Sequence, residues 1–157
     1  YVRDIKFLGY SFYVYRNKGR LRVNPKSFAR LKESLRVLTS RSNGWGNEKR
    51  KEKLKQFITG WVNYFKMADM KRYLERLDSW LRRRIRMVIW KQWKQVKTRF
   101  RNLIKLGIPE SRAYMFANTR KGYWHTANSP ILATSISSDS LVRAGYTFLS
   151  DYLRSCQ

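Results

Sequence analysis

The segment WLRRRIRMVIWKQWKQVKTRF, residues 80–100, constrains the fold more than any other part of the chain. Advanced at about 100° per residue, Leu77, Leu81, Ile85, Val88, Ile89, Trp93, Val96 and Phe100 fill one arc of roughly 160°. Arg76, Arg83, Arg84, Arg86, Lys91, Lys94, Lys97 and Arg101 fill the opposite arc. Such a pattern makes a helix whose apolar side other elements must bury. The spacing predicts a helix over residues 70–106, with Asp69 as its N-cap and Gly107 as its stop, Pro109 lying just beyond. A break is expected near Thr98, because so long a helix is unusual in a small domain. The cations then face outward as a stripe. Like charges one turn apart cost stability, and acidic partners are nearly absent after Asp78. The uniform sign favours a face for an anionic ligand over a merely solvated one. Trp80, Met87 and Trp90 fall inside the basic arc, where the same core does not account for them. The two tryptophans meet either another domain or helix, or a ribose or base by stacking. Arg82 and Arg99 fall inside the apolar arc and are expected at its margins or beside a carboxylate.

The whole chain repeats this imbalance. It has 157 residues, with 35 Lys and Arg against 10 Asp and Glu, a formal net charge of +25. The excess runs from Arg3 to Arg154 without a separate basic tail, and implies nucleic acid or an acidic membrane surface as partner. An apolar fraction of 43% provides a core, and 15% aromatic residues argue against disorder. The single cysteine, Cys156, cannot form an internal disulfide, which fits a reducing cytoplasm. There is no signal peptide and no apolar run near the ~20 residues that span a bilayer. The chain does not begin with Met and opens on a strand, so a piece of a longer protein is expected.

The remaining elements follow from local signals. Residues 5–24 read as a β-hairpin with Asn17, Lys18 and Gly19 as its turn and Gly19 at positive φ. Asn24 before Pro25 caps a helix over 25–39 on Phe28, Leu31, Leu35 and Leu38. After a loop at 40–47, a second helix covers 48–67 on Leu54, Phe57, Ile58, Trp61, Tyr64 and Phe65. Short helices are expected at 109–118, 131–136 and 140–153, with 119–130 irregular. The fold class is mainly α, a helical bundle with an N-terminal β-hairpin.

Catalytic chemistry is missing. No two of the carboxylates stand together in a loop after a strand, where a metal-dependent polymerase or nuclease keeps them. One histidine, His125, and one cysteine make no zinc site, and Gly44-Trp45-Gly46 is too short for a phosphate loop. No catalytic residue, metal site or cofactor is expected in this chain. His125 is either a locally bonded loop residue or a direct RNA contact.

Three longer stretches resemble a known family. IKFLGYSFY followed by NPKSFARLKESLRVLTSRS is similar to the end of the palm and start of the thumb in group II intron reverse transcriptases. The segment from KLKQFITGWVNYFKMADM through WKQVKTRFRNLIKLG resembles their maturase-specific thumb, domain X, and NTRKGYWHTANSPIL resembles the closing segment of bacterial members lacking an endonuclease. The resemblance implies residues 1–24 as the end of the palm with the primer grip, 25–107 as the thumb, and 108–157 as the segment that closes it. It implies Phe7, Leu8 and Gly9 at the primer grip, and group II intron RNA, an RNA–DNA template–primer duplex and the fingers and palm as partners. Catalytic aspartates and their Mg²⁺ belong to that palm. The role implied is aid to intron splicing, then grip on template–primer during reverse transcription and retrohoming, in a bacterial cytoplasm and without a membrane.

With composition, the candidate nucleic-acid-binding residues are Arg83, Arg84, Arg86, Lys91, Lys94, Lys97 and Trp90, with Arg120, Lys121, Tyr123 and Trp124 in the closing motif. Tyr123 and Trp124 either stack on unpaired bases or plug the end of the bundle. The rival readings are a stand-alone RNA-binding or splicing-assistance protein without polymerase, and a basic amphipathic protein of membrane surfaces.

Overall fold

The computed structural model describes residues 6–7, by backbone alone, and 9–157. Leu8 and the side chain of Phe7, two of the three primer-grip positions, lie outside the described residues. The fold is mainly α, as the periodicity predicts. Strands β1 (Lys6–Phe7), β2 (Tyr10–Tyr15) and β3 (Lys18–Val23) precede helices α1 (Pro25–Leu38), α2 (Asn47–Phe65), α3 (Lys71–Gln92), α4 (Val96–Lys105) and α5 (Glu110–Ala117). Four short helices follow: α6 (Tyr123–Ala127), α7 (Pro130–Ser135), α8 (Ser138–Arg143) and α9 (Leu149–Ser155). Two compact units result. The first holds the described residues up to Leu38, Trp45–Ser79 and Tyr146–Gln157; the second holds Thr39–Gly44 and Trp80–Gly145.

In the first unit β1, β2 and β3 form an antiparallel sheet in sequence order, one short strand more than the expected hairpin. Tyr15 pairs with Lys18, so the turn is Arg16-Asn17, both at positive φ, and not Asn17-Lys18-Gly19. Two residues at positive φ make the type I′ turn that matches strand twist. Gly19 is instead a strand residue opposite Val14. Glycine matters at Gly9, where φ is +86° and an added Cβ would lie 2.9 Å from Ser27 Oγ and 3.0 Å from the Phe65 ring. The Gly9 carbonyl accepts from Asn24 N at 2.8 Å, which ties the sheet to the start of α1. Asn24 caps that helix as expected, its Oδ1 accepting from Lys26 N at 2.9 Å.

Leu31, Leu35, Leu54, Ile58, Val62, Leu74 and Leu77 are buried in this unit. Around them Phe28 stacks on Tyr73 at 3.7 Å between centroids, and Phe65 meets Tyr10 at 5.1 Å and Trp61 at 4.6 Å. Asp69 does not cap α3. It lies outside the first turn, accepts from Tyr13 Oη at 2.5 Å and pairs with Arg20 at 3.5 Å. Asp78 is buried, and its carboxylate accepts from the backbone N–H groups of Leu149 at 2.8 Å and Ser150 at 2.9 Å, and from the Ser150 hydroxyl. Those N–H groups open α9 and have no partner within it, so Asp78 serves as the cap.

In the second unit Leu81, Ile85, Val88, Leu103, Ala113, Ala117, Leu132 and Leu141 are buried. The expected helix over 70–106 is two helices, broken at residues 93–95, a few residues before Thr98. Arg99 Nε takes the Trp93 carbonyl at 2.7 Å, and its guanidinium lies 4.5 Å from the centre of the Trp90 ring. A carbonyl left open by the end of α3 thus finds its partner in α4. Arg99 is therefore half-buried and paired with a carbonyl rather than a carboxylate. Gly107, at φ +91°, ends α4 as expected. The stretch 119–130, expected to be irregular, contains α6, and the expected helix at 140–153 is α8 and α9 separated by a bend at Gly145.

Candidate nucleic-acid interface

The candidate cations and aromatics from Arg83 to Trp124 all lie in the second unit. The structure does not present them as one outward stripe. Arg83 donates from Nε and Nη2 to the Trp124 carbonyl, at 3.1 and 2.8 Å, and its Cζ lies 3.7 Å from the centre of the Trp124 ring. Arg84 donates to Thr39 Oγ1 and to the Thr39 carbonyl, both at 3.1 Å. Arg86, only 9% exposed, donates to the Ile136 carbonyl at 2.7 Å. Ile136 follows the last turn of α7, where a cation also meets the negative end of the helix dipole. Lys91 Nζ donates to the Arg41 carbonyl at 2.6 Å. Expected as a row of phosphate contacts, these four side chains fasten α3 to the rest of the unit.

Trp90 is 1% exposed and meets Trp93 and Phe116 at 6.0 and 5.2 Å between centroids. Of the two readings open to it, packing holds. Its burial removes it as a stacking platform. Tyr123 and Trp124 are half-buried against Met87, Val88 and Ala127, and the Arg41 guanidinium lies 5.2 Å from the centre of the Tyr123 ring. They close the apolar interior of the unit rather than stand in a free loop.

Electrostatics follow from the choice of partner. A peptide carbonyl satisfies a guanidinium hydrogen bond but carries no net charge to cancel it. Burial pushes the Arg83 and Arg86 guanidinium pKa values down, and for Arg86 the like charge of Arg82 adds to the effect. Arginine nevertheless stays protonated at any ordinary pH. Glu110 and Asp139 are the only carboxylates in the sequence of this unit, so it keeps a large positive potential.

The exposed cations of the unit include Lys94, Lys97, Arg101, Lys105, Arg112, Arg120 and Lys121. On α4, Lys97, Arg101 and Lys105 recur at every fourth residue, so they share a face at a rise of about 6 Å per step. That is close to the phosphate repeat of a nucleic-acid strand. Of the expected stripe, Lys94 and Lys97 stay exposed, as do Arg76 in the first unit and Arg101 on α4. Arg101, Lys105 and Arg112 were not among the candidates, although the repeat at 97, 101 and 105 was readable. Among the described residues no group of three His, Cys, Asp or Glu side chains is placed to hold a metal ion. No helix among them is long and apolar enough to cross a membrane.

The profile of the family described as "Group II intron, maturase-specific domain" matches residues 28–107, half of the chain. The chain belongs to this family. Among curated proteins, none matches it. The matched span of the maturase domain contains α2, α3, α4 and most of α1. It therefore includes the clamping arginines and the exposed α4 face, whereas Arg112, Arg120 and Lys121 lie beyond it. A maturase-specific domain by itself lacks the polymerase palm, and its role is related to that of group II intron maturases.

Proposed function

We propose that this maturase domain grips structured group II intron RNA, and the template–primer duplex during reverse transcription, through the exposed cations of its second unit. The observation that carries the reading is the α4 row of Lys97, Arg101 and Lys105, exposed and in phase in a unit with two carboxylates. An A-form helix offers phosphates and 2′-hydroxyls on a shallow minor groove, and its major groove is too narrow for side chains. A rigid cationic face suits that surface, because it meets several phosphates without ordering new backbone. Arg101 adds a two-pronged contact that a lysine cannot make. Lys94, Arg112, Arg120 and Lys121 extend the same chemistry.

Assistance to splicing and to retrohoming follows from this grip. The resemblance to group II intron reverse transcriptases adds a division into palm end at 1–24, thumb at 25–107 and closing segment at 108–157, with Gly9 beside the primer end and Mg²⁺ confined to the carboxylates of a palm. A bacterial cytoplasm is the proposed location. Ultraviolet crosslinking of the chain to its intron RNA, mapped to peptides, tests the reading. Crosslinks concentrated between residues 94 and 121 are expected. Crosslinks confined to the first unit would place the RNA elsewhere and overturn it.

A further inference from the structure

One feature of the second unit is not used by the α4 face. A cleft of about 460 Å³ opens where the end of α5 faces α6 and the start of α7. Phe116 and Ile131, both half-buried, form its apolar floor, and Met115, 75% exposed, stands on its rim with Arg112, Lys121 and His125. The volume falls within the range of small-molecule sites, roughly 300–1,000 Å³. We propose that this cleft holds one unstacked nucleotide of a bound RNA, its base on the Phe116 floor and its phosphate between Arg112 and Lys121. The proposal rests on the RNA-binding reading above and names the RNA feature that the closing motif receives.

Three observations favour a nucleotide over an apolar protein side chain. First, no carboxylate among the described residues lines the cleft, and Arg112 and Lys121 at its rim are cations, which suits a sugar–phosphate chain. Second, the floor is aromatic and braced. Phe116 is backed by Trp90 at 5.2 Å between centroids, and Trp90 is itself 1% exposed, so a base would meet a platform that does not have to be ordered. Third, hydroxyls stand beside the floor. Thr119 Oγ1 accepts from Lys121 N at 3.3 Å, and Ser129 Oγ accepts from Leu132 N at 3.4 Å. Each hydroxyl proton remains available for the acceptor edge of a base. The loop between them is pinned as well, because Thr126 Oγ1 donates to the Lys121 carbonyl at 3.4 Å. The Lys121 backbone is fixed while its side chain stays exposed to reach a phosphate. Unpaired bases are the part of a folded RNA that can be splayed out in this way.

The test compares two probes on the full chain: a short RNA duplex with one unpaired adenosine, and the same duplex fully paired. The wild-type chain is expected to bind the bulged duplex about tenfold more tightly, the size of one base–aromatic stack. The double variant Met115→Glu, His125→Ala is expected to bind both duplexes alike. Both side chains are exposed, so its melting temperature should match the wild type. Arg112→Gln alone should weaken the preference without abolishing duplex binding. Equal wild-type affinity for the two probes, or a preference that survives the double variant, would overturn the cleft while leaving RNA binding intact. Failure to bind either probe would overturn the RNA-binding reading itself, and the cleft with it.

Discussion

The first unit sets Arg20 against Asp69, Arg36 against Glu33 and Lys51 against Glu48. The second sets Arg83, Arg84, Arg86, Lys91 and Arg99 against the carbonyls of Trp124, Thr39, Ile136, Arg41 and Trp93. Both arrangements satisfy donors, but only the first cancels charge. A chain proposed to bind a polyanion and also hold a fold faces a conflict, since every carboxylate that steadies a cation weakens the field. Carbonyl partners resolve it. The second unit gains directional, partly buried hydrogen bonds and retains its positive potential. The α3 cations of this unit are therefore fasteners, and the face proposed for a ligand is that of α4.

The largest expected effect tests Asp78, a buried carboxylate of the first unit. Asp78→Ala removes the acceptor of two backbone N–H groups and a hydroxyl at the start of α9. A loss of about 3–4 kcal/mol in urea unfolding is expected, because the donors stay buried without their charged partner. A loss below ~1 kcal/mol would mean that water replaces the carboxylate and that the cap is not holding α9.

The buried arginine of the second unit comes next. Arg86→Met keeps much of the stem but strands the Ile136 carbonyl, at an expected cost of about 1–2 kcal/mol. RNA affinity measured under folding conditions should hardly move. Unchanged stability together with weakened RNA binding would return Arg86 to the ligand face. Smaller still is the exposed pair Arg36–Glu33, where Arg36→Gln should cost under ~0.5 kcal/mol. A larger loss would show that the first unit relies on charge pairing more than exposed ion pairs normally allow.

What the sequence revealed and what it concealed divide along the same line. Leu77, Leu81, Ile85 and Val88 were legible as core because helical period is a local signal, and all four are buried. The break at 93–95 was misplaced because Trp93, Val96 and Phe100 continue that period across it. The hairpin turn was misread for a related reason. Gly19 carries the stronger turn signal, but the pairing of Tyr10 with Val23 fixes a register that assigns positive φ to Arg16 and Asn17. The fate of Arg83, Arg84 and Arg86 was not legible at all. Their partners lie 41, 45 and 50 residues away and are backbone carbonyls, which every residue type carries. A carboxylate partner leaves a mark in the sequence, whereas a carbonyl partner leaves none. The charge excess and the maturase resemblance still pointed to the right family, because neither depends on which individual cation is free.

The most direct test of this division is the salt dependence of RNA binding by two triple variants. Lys97→Gln, Arg101→Gln, Lys105→Gln alters the exposed face of α4, and Arg83→Gln, Arg84→Gln, Arg86→Gln alters the fasteners of α3. Each phosphate contact contributes roughly 0.7–0.9 to the slope of log affinity against log salt, through counterion release. The α4 variant is expected to keep the wild-type melting temperature and to flatten the slope by about two to three units. The α3 variant should melt at a lower temperature and, where it remains folded, keep a slope within about one unit of wild type. The reverse pattern, an unchanged slope for the α4 variant and a flattened slope for a fully stable α3 variant, would contradict the account.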